Sequence, residues 1–285
     1  MLRTANFREG AMRVVFAITA CVSIAAVVII CVFLFGSGIP TMAEVGFGKF
    51  LFGMEWAPTQ GKFGIFPMIV ASIIVTAGAI LVGVPAGLLC AIFLARFCPP
   101  KLHRILKPAV ELLAGIPSIV YGFFGLVVLV PMMQNLVGGS GKGLLTASLM
   151  LGIMILPTII SVSESALRAV PERYYEGSLA LGATHERSVF STVLPAASSG
   201  ILAGVILGVG RAIGETMAVW MVAGNQTLLP ESLTSGVRTL TANIVLEMGY
   251  ATDLHREVLI ACGVVLFVFI LIINLCFSAL KRRTT

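Results

Sequence analysis

The sequence predicts an all-α integral membrane protein with six transmembrane helices, and three observations carry that prediction. Of 285 residues, 58% are hydrophobic and 11% charged, where a soluble domain carries roughly 25% charged residues. Apolar runs that meet the roughly 20 residues needed to cross a hydrocarbon core recur along the chain. Segments of about ten residues alternating polar and apolar, the mark of a membrane barrel, do not occur, so helices must satisfy the backbone in lipid.

The spans fall at 14–35, 66–97, 109–133, 144–162, 196–222 and 258–280. The first is about 22 residues, too long for the 7 to 15 of a signal-peptide core, and is expected to be retained. Between it and the second lies "GSGIPTMAEVGFGKFLFGMEWAPTQGKFG", whose Trp56 and phenylalanines suit a membrane interface. The second span is long and carries Pro85, which predicts a tilt or kink. The third contains "ELLAGIPSIVYGFFG", a poor lipid-facing helix and a good packed one. Pro157 lies in the fourth, and in the fifth Gly200, Gly204 and Gly208 form a small-residue stripe that lets a neighbouring helix approach. In the polar loop before the last span, 240–248 reads as a short amphipathic helix.

Short cytoplasmic loops retain Lys and Arg. Arg3, Arg8 and Arg13 precede span one, Arg96, Lys101, Arg104 and Lys107 fill the second loop, Arg168, Arg173 and Arg187 the fourth, and Lys281, Arg282 and Arg283 end the chain. That side is expected to be cytoplasmic, with both termini on it. The net charge of +6 follows from this topology; with no basic arm or aromatic interleaving, nucleic acid is not indicated as a partner. Cys21, Cys31, Cys90, Cys98, Cys262 and Cys276 form no C-x-x-C pair and read as small apolar packing residues, and His103, His185 and His255 show no metal-ligand spacing. No cofactor is expected. Ser161, Ser163 and Glu164 do not form a nucleophile, base and orienter set, so the chain reads as non-catalytic.

The connection 163–194 is too regular for a passive linker. Tyr174, Tyr175, Leu179 and Leu181 predict a helix starting near Glu172; Gly182 ends it, and Thr184 caps a second one. In the fifth span "GVGRAIGETMAVW" places Arg211 and Glu215 at mid-membrane. An arginine there costs about 2.5–3.5 kcal/mol on insertion scales and marks a partner or a substrate path. On a continuous helix Glu215, four residues on, shares its face, so one reading is a mutually compensating pair. The other is an anion path: the guanidinium fork takes an oxyanion, Glu215 holds Arg211 between cargoes, and Thr216 adds a hydroxyl.

The stretch 176–195 resembles the cytoplasmic coupling motif of ABC importer permeases, E-A-A-x-x-x-G followed by nine residues and I-x-L-P. Glu176, Gly182, Leu194 and Pro195 match, Gly177 and Ser178 stand for the two alanines, and Thr192 for the isoleucine. In that family the segment docks on a cytoplasmic ATPase, which implies coupling roles for Glu176, Gly177, Ser178 and Gly182; the chain itself has no G-x-x-x-x-G-K-[ST] loop for ATP phosphates. "GVGRAIGETMAV", "ELLAGIPSIVYGFFGL" and "EWAPTQGKFGIFPMI" are together similar to the permease subunits of phosphate-specific ABC importers, of PstC type. The resemblance implies a type I importer (MetI-like) core over 65–282 behind an N-terminal helix and external loop over 1–64. It also implies phosphate passage at Arg211 and Glu215, and a bacterial inner-membrane setting. The partners implied are a PstA-type second permease, two PstB-type ATPase subunits and a PstS-type phosphate-binding protein. Other readings are a permease for sulfate or molybdate, a regulatory or scaffold subunit of a phosphate-sensing complex, and a membrane enzyme acting on a phosphorylated lipid.

Overall fold

A computed structural model describes residues 2–284; the side chains of 2–11, 277, 278 and 280–284 lie outside the description, and with them the charges of Arg3, Arg8, Lys281, Arg282 and Arg283. The chain runs α1 (Leu2–Val45), α2 (Phe47–Phe52), a small hairpin of β1 (Trp56–Ala57) and β2 (Lys62–Phe63), then α3 (Phe66–Ile92), which ends in a π-helical turn, Phe93–Phe97. Next come α4 (Pro100–Gly115), α5 (Ser118–Phe124) and α6 (Val130–Val137), the last two joined by a second π turn, and α7 (Leu144–Ala169). The remainder is α8 (Glu172–Ala180), α9 (His185–Ser188), α10 (Leu194–Ala196), α11 (Ser198–Gly214), α12 (Met217–Val222), α13 (Leu240–Met248) and α14 (Asp253–Thr284). Five segments among the described residues are long and apolar enough to cross a membrane, and a sixth is a pair of helices, His185–Ala196 and Ser198–Gly214, bent by 70°.

Three helices form the centre. Ile155 and Ile159 of α7 are fully buried because both neighbours present glycine to them. A Cβ on Gly83 of α3 would stand 2.7 Å from Ile155, and one on Gly208 of α11 would stand 2.9 Å from Ile159. The predicted stripe is thus the seam between α11 and α7, with Gly200 against Ala166 and Gly204 against Val162 and Ser163. By contrast α1 is exposed along most of its described length and leans mainly on α14, with Gly38 against Ala261 and Val264, and Phe35 edge-on to Phe267 at 5.6 Å.

Two sequence expectations change, the start of the third span and the setting of Trp56. The third span does not start at 109: a separate amphipathic helix, α4, covers the supposed loop, and the span proper is Ser118–Val137. Pro117 sets that boundary, because it lacks an N–H and drives Ile116 into extended geometry (φ −68, ψ 127). Pro85 leaves α3 helical throughout, and the departure from α geometry comes later, at Phe93–Phe97. Trp56 is turned into the protein and does not face an interface. It is 8% exposed, packs edge-on to Phe63, and its Nε1–H donates to Glu247 Oε2 at 2.9 Å. The exposed aromatics of that region are Phe47 and Phe52.

The helix expected at 240–248 forms over those residues, with the Thr239 hydroxyl accepting from Ala242 N–H. Its Glu247 is a buried hub: Arg238 Nη1 lies 2.6 Å from one oxygen, His255 Nε2 2.8 Å and Trp56 Nε1 2.9 Å from the other. That carboxylate ties the hairpin, the preceding loop and α14 together at the end of the bundle opposite α8.

Candidate functional site

Two helix breaks, one where the third span begins and one inside the fifth, lead into helices that pack on each other. Where α4 stops, the Leu113 carbonyl faces Pro117, which has no N–H to give it. Tyr121 supplies the substitute, its hydroxyl donating to that oxygen at 2.7 Å, with Ile116 N–H at 3.3 Å. Where α11 stops, no proline is involved. Glu215 turns extended (φ −70, ψ 132), Thr216 follows at φ −122, and α12 restarts at Met217. Glu215 Oε1 accepts from Ala218 N–H at 3.2 Å, and the Glu215 carbonyl accepts from the Thr241 hydroxyl at 3.0 Å. The half-helices α5 and α12 meet at Gly122, where an added Cβ would come 2.9 Å from Ala218 Cα. Irregular backbone at membrane depth persists where protein buries it or where it lines a cavity, and substrate sites of transporters concentrate at such breaks.

Arg211 occupies the last turn of α11, half-buried beside this double break. Its Nη1 donates to the Thr158 hydroxyl of α7 at 3.4 Å, and no carboxylate among the described residues is within ion-pairing distance of it. The expected pair with Glu215 is therefore not formed. The i, i+4 relation needs one continuous helix, and the helix ends at Gly214, so the glutamate swings off the arginine's face and caps α12 instead. The partial negative charge at the carboxyl end of α11 supports the guanidinium without a carboxylate. Thr216 spends its hydroxyl on the Gly214 carbonyl at 3.2 Å. Beside Glu215, Ser72, Thr76, Thr239 and Thr241 line a cavity of about 10 Å³, room for about one water.

The second candidate region forms as expected. Gly182 adopts φ +87, which a glycine tolerates without strain, and the Thr184 hydroxyl accepts from Arg187 N–H at the start of α9. Glu176, Gly177 and Gly182 are exposed, Ser178 is half-buried, a Cβ on Gly177 would meet nothing, and Leu181 is 91% exposed. Behind this knob Tyr175 anchors α8, its hydroxyl 2.7 Å from His185 Nδ1.

Reading the chain linearly misses one cluster. Glu164 has a side chain 2% exposed and is met by Lys107 Nζ at 2.7 Å, His103 Nε2 at 2.8 Å and Arg168 Nε at 2.9 Å. The available signal was the spacing of His103 and Lys107, and of Glu164 and Arg168, one helical turn apart in each case.

An exposed helical knob at one end of a bundle and, beside a broken span, a guanidinium with no carboxylate partner among the described residues mark a membrane permease. The chain belongs to the family described as the binding-protein-dependent transport system inner membrane component, which matches residues 83–285. It is 41% identical over 277 residues to the probable ABC transporter permease protein YqgH of Bacillus subtilis, covering 93% of this chain and 90% of that one. To the phosphate transport system permease protein PstC of Mesorhizobium japonicum it is 39% identical over 261 residues, covering 84% and 80%. Among solved structures, the fold matches a MetNI methionine ABC transporter in an inward-facing conformation (TM-score 0.57, 23% identity, 78% of this chain and 94% of that one). It also matches a bacterial alginate ABC transporter in complex with its pentasaccharide-bound periplasmic protein (TM-score 0.62, 15% identity, 93% and 94%).

Proposed function

We propose that this chain is the transmembrane permease subunit of an ATP-driven importer that brings inorganic phosphate into the cytoplasm by alternating access. The observation that carries the proposal is Arg211, a guanidinium at mid-span with no carboxylate in reach among the described residues, in a chain 39% identical to a phosphate permease. Its planar fork binds a phosphate through two parallel hydrogen bonds. Among the described residues its one side-chain hydrogen bond goes to Thr158, which leaves most of its donors free for the cargo.

In this reading residues 1–64 are a peripheral helix and external segment, and 65–282 the transport core. The termini and α8 face the cytoplasm, where the Lys- and Arg-rich loops lie. The knob at Glu176, Gly177, Ser178 and Gly182 docks on a separate ATPase dimer of PstB type. A second permease of PstA type closes the path over Arg211, and a PstS-type binding protein delivers phosphate from outside. Glu215 fixes the restart of α12 beside the arginine, and Thr216 holds the turn before it.

The test is ATP-dependent phosphate uptake into vesicles carrying the reconstituted four-component complex, comparing Arg211→Gln with wild type after assembly is confirmed. Uptake is expected to be lost with ATP hydrolysis retained. Unchanged uptake refutes the role of Arg211, and wild-type uptake blocked by sulfate but indifferent to phosphate refutes the substrate.

A further inference from the structure

The most extensive polar network at the α8 end of the molecule has no part in the site above. Helix α4 contributes no buried residue, and its apolar side chains Leu102, Ile105, Leu112 and Leu113 are 40–74% exposed. Apolar packing within the chain therefore holds it weakly. What fastens it is Glu164 of α7, onto which His103 and Lys107 converge from α4. Lys107 has a second carboxylate, Glu111, in its own helix at 3.6 Å, farther than Glu164.

The belt continues from there. Arg168, the third group on Glu164, donates through Nη2 to the Leu94 carbonyl at 2.9 Å, in the π turn that ends α3. From the same turn Arg96 donates to the Leu167 carbonyl at 3.3 Å and pairs with Glu172 at 2.9 Å, and Glu172 is the first residue of α8. Hydrogen bonds from charged side chains therefore link α8 to α4 through the ends of α3 and α7. The other end of α4 is Gly115, next to the Tyr121-bridged break whose far side packs on α12. Helix α4 is a rigid segment with a polar latch at one end and the pathway break at the other.

We propose that Glu164 is a positioning residue for transport: it latches α4 to the base of the coupling loop, so that movement imposed on α8 swings α5, which packs on α12. The inference rests on the importer reading but not on Arg211 touching phosphate. Breaking the latch leaves the docking knob and the anion site intact and separates the motor from the path.

The experiment measures phosphate imported per ATP hydrolysed in reconstituted vesicles for wild type, Glu164→Gln, Glu164→Asp and the double variant His103→Gln/Lys107→Gln. Glu164→Gln is expected to lower that ratio at least about tenfold with ATP hydrolysis within about twofold of wild type, and Glu164→Asp, which keeps the charge, to recover much of it. The double variant alters only partly exposed groups on a helix without buried residues, so it decides the matter if Glu164→Gln does not assemble. It is expected to uncouple in the same way. An unchanged ratio in the double variant, or a fall in Glu164→Gln that merely tracks lost assembly while the double variant is normal, overturns the latch. Absence of phosphate uptake by the wild-type complex would instead sink the importer reading.

Discussion

The seam between α7 and α11 allows a prediction with its size fixed by geometry. An alanine at Gly200 places its Cβ 2.5 Å from the Ala166 Cβ, where favourable carbon contacts lie at about 3.5–4.0 Å. One helix must retreat by about 1 Å, and overpacking of this kind costs about 1–3 kcal/mol. Ala166→Gly by itself loses helix propensity, roughly 1 kcal/mol. If the two sites were independent, the double variant would lose roughly 2–4 kcal/mol. They are not independent, because the atom that clashes is the one that Ala166→Gly deletes; the next atom, Ala166 Cα, lies at an ordinary 3.6 Å. The glycine penalty at 166 is offset by the alanine gained at 200. The double variant is expected within about 1 kcal/mol of wild type. The assay is the thermal unfolding midpoint of the purified complex, which moves by roughly 2–4 °C per kcal/mol in chains of this size. An unshifted midpoint for Gly200→Ala, or a double variant that falls by the sum of the singles, would refute the close-packed seam.

Trp56→Phe removes the indole N–H that Glu247 accepts at 2.9 Å and leaves a carboxylate 6% exposed short of a donor; a loss of about 1.5–3 kcal/mol is expected for a hydrogen bond to a charged group, read as a lowered midpoint. Gly182→Ala puts a Cβ on a residue at φ +87, a strain of about 1–2 kcal/mol that is relieved by reorienting α8. ATP-driven uptake should fall several-fold with the midpoint of the membrane core unchanged, and full uptake would show that the angle between α8 and α9 is immaterial.

Much of the architecture was legible without coordinates because it depends on local composition. The apolar runs specify where α1, α3, α7 and α14 cross, since lipid demands about 20 such residues wherever they fall. Gly182 and Thr184 specify the turn after α8, since positive φ and a capping hydroxyl are properties of single residues. Pro117 carries the break at the third span in its missing N–H, while the apolar residues on both sides of it carry no boundary of their own.

Tertiary structure decided the charges. The i, i+4 spacing of Arg211 and Glu215 promised a pair only while the helix continued. It stops at Gly214, where Glu215 is held by Ala218 N–H and by Thr241, 26 residues away. Glu164 looked idle beside two serines, yet folding brings to it His103 and Lys107 from 61 and 57 positions earlier. The physical reason is range. Solvation and backbone preference are set by a residue and its immediate neighbours, so the sequence alone determines the spans, the turns and the presence of a cation in the membrane. A buried charge is settled only by whichever groups the packing of distant helices delivers to within 3 or 4 Å, roughly the distance over which a hydrogen bond or ion pair acts.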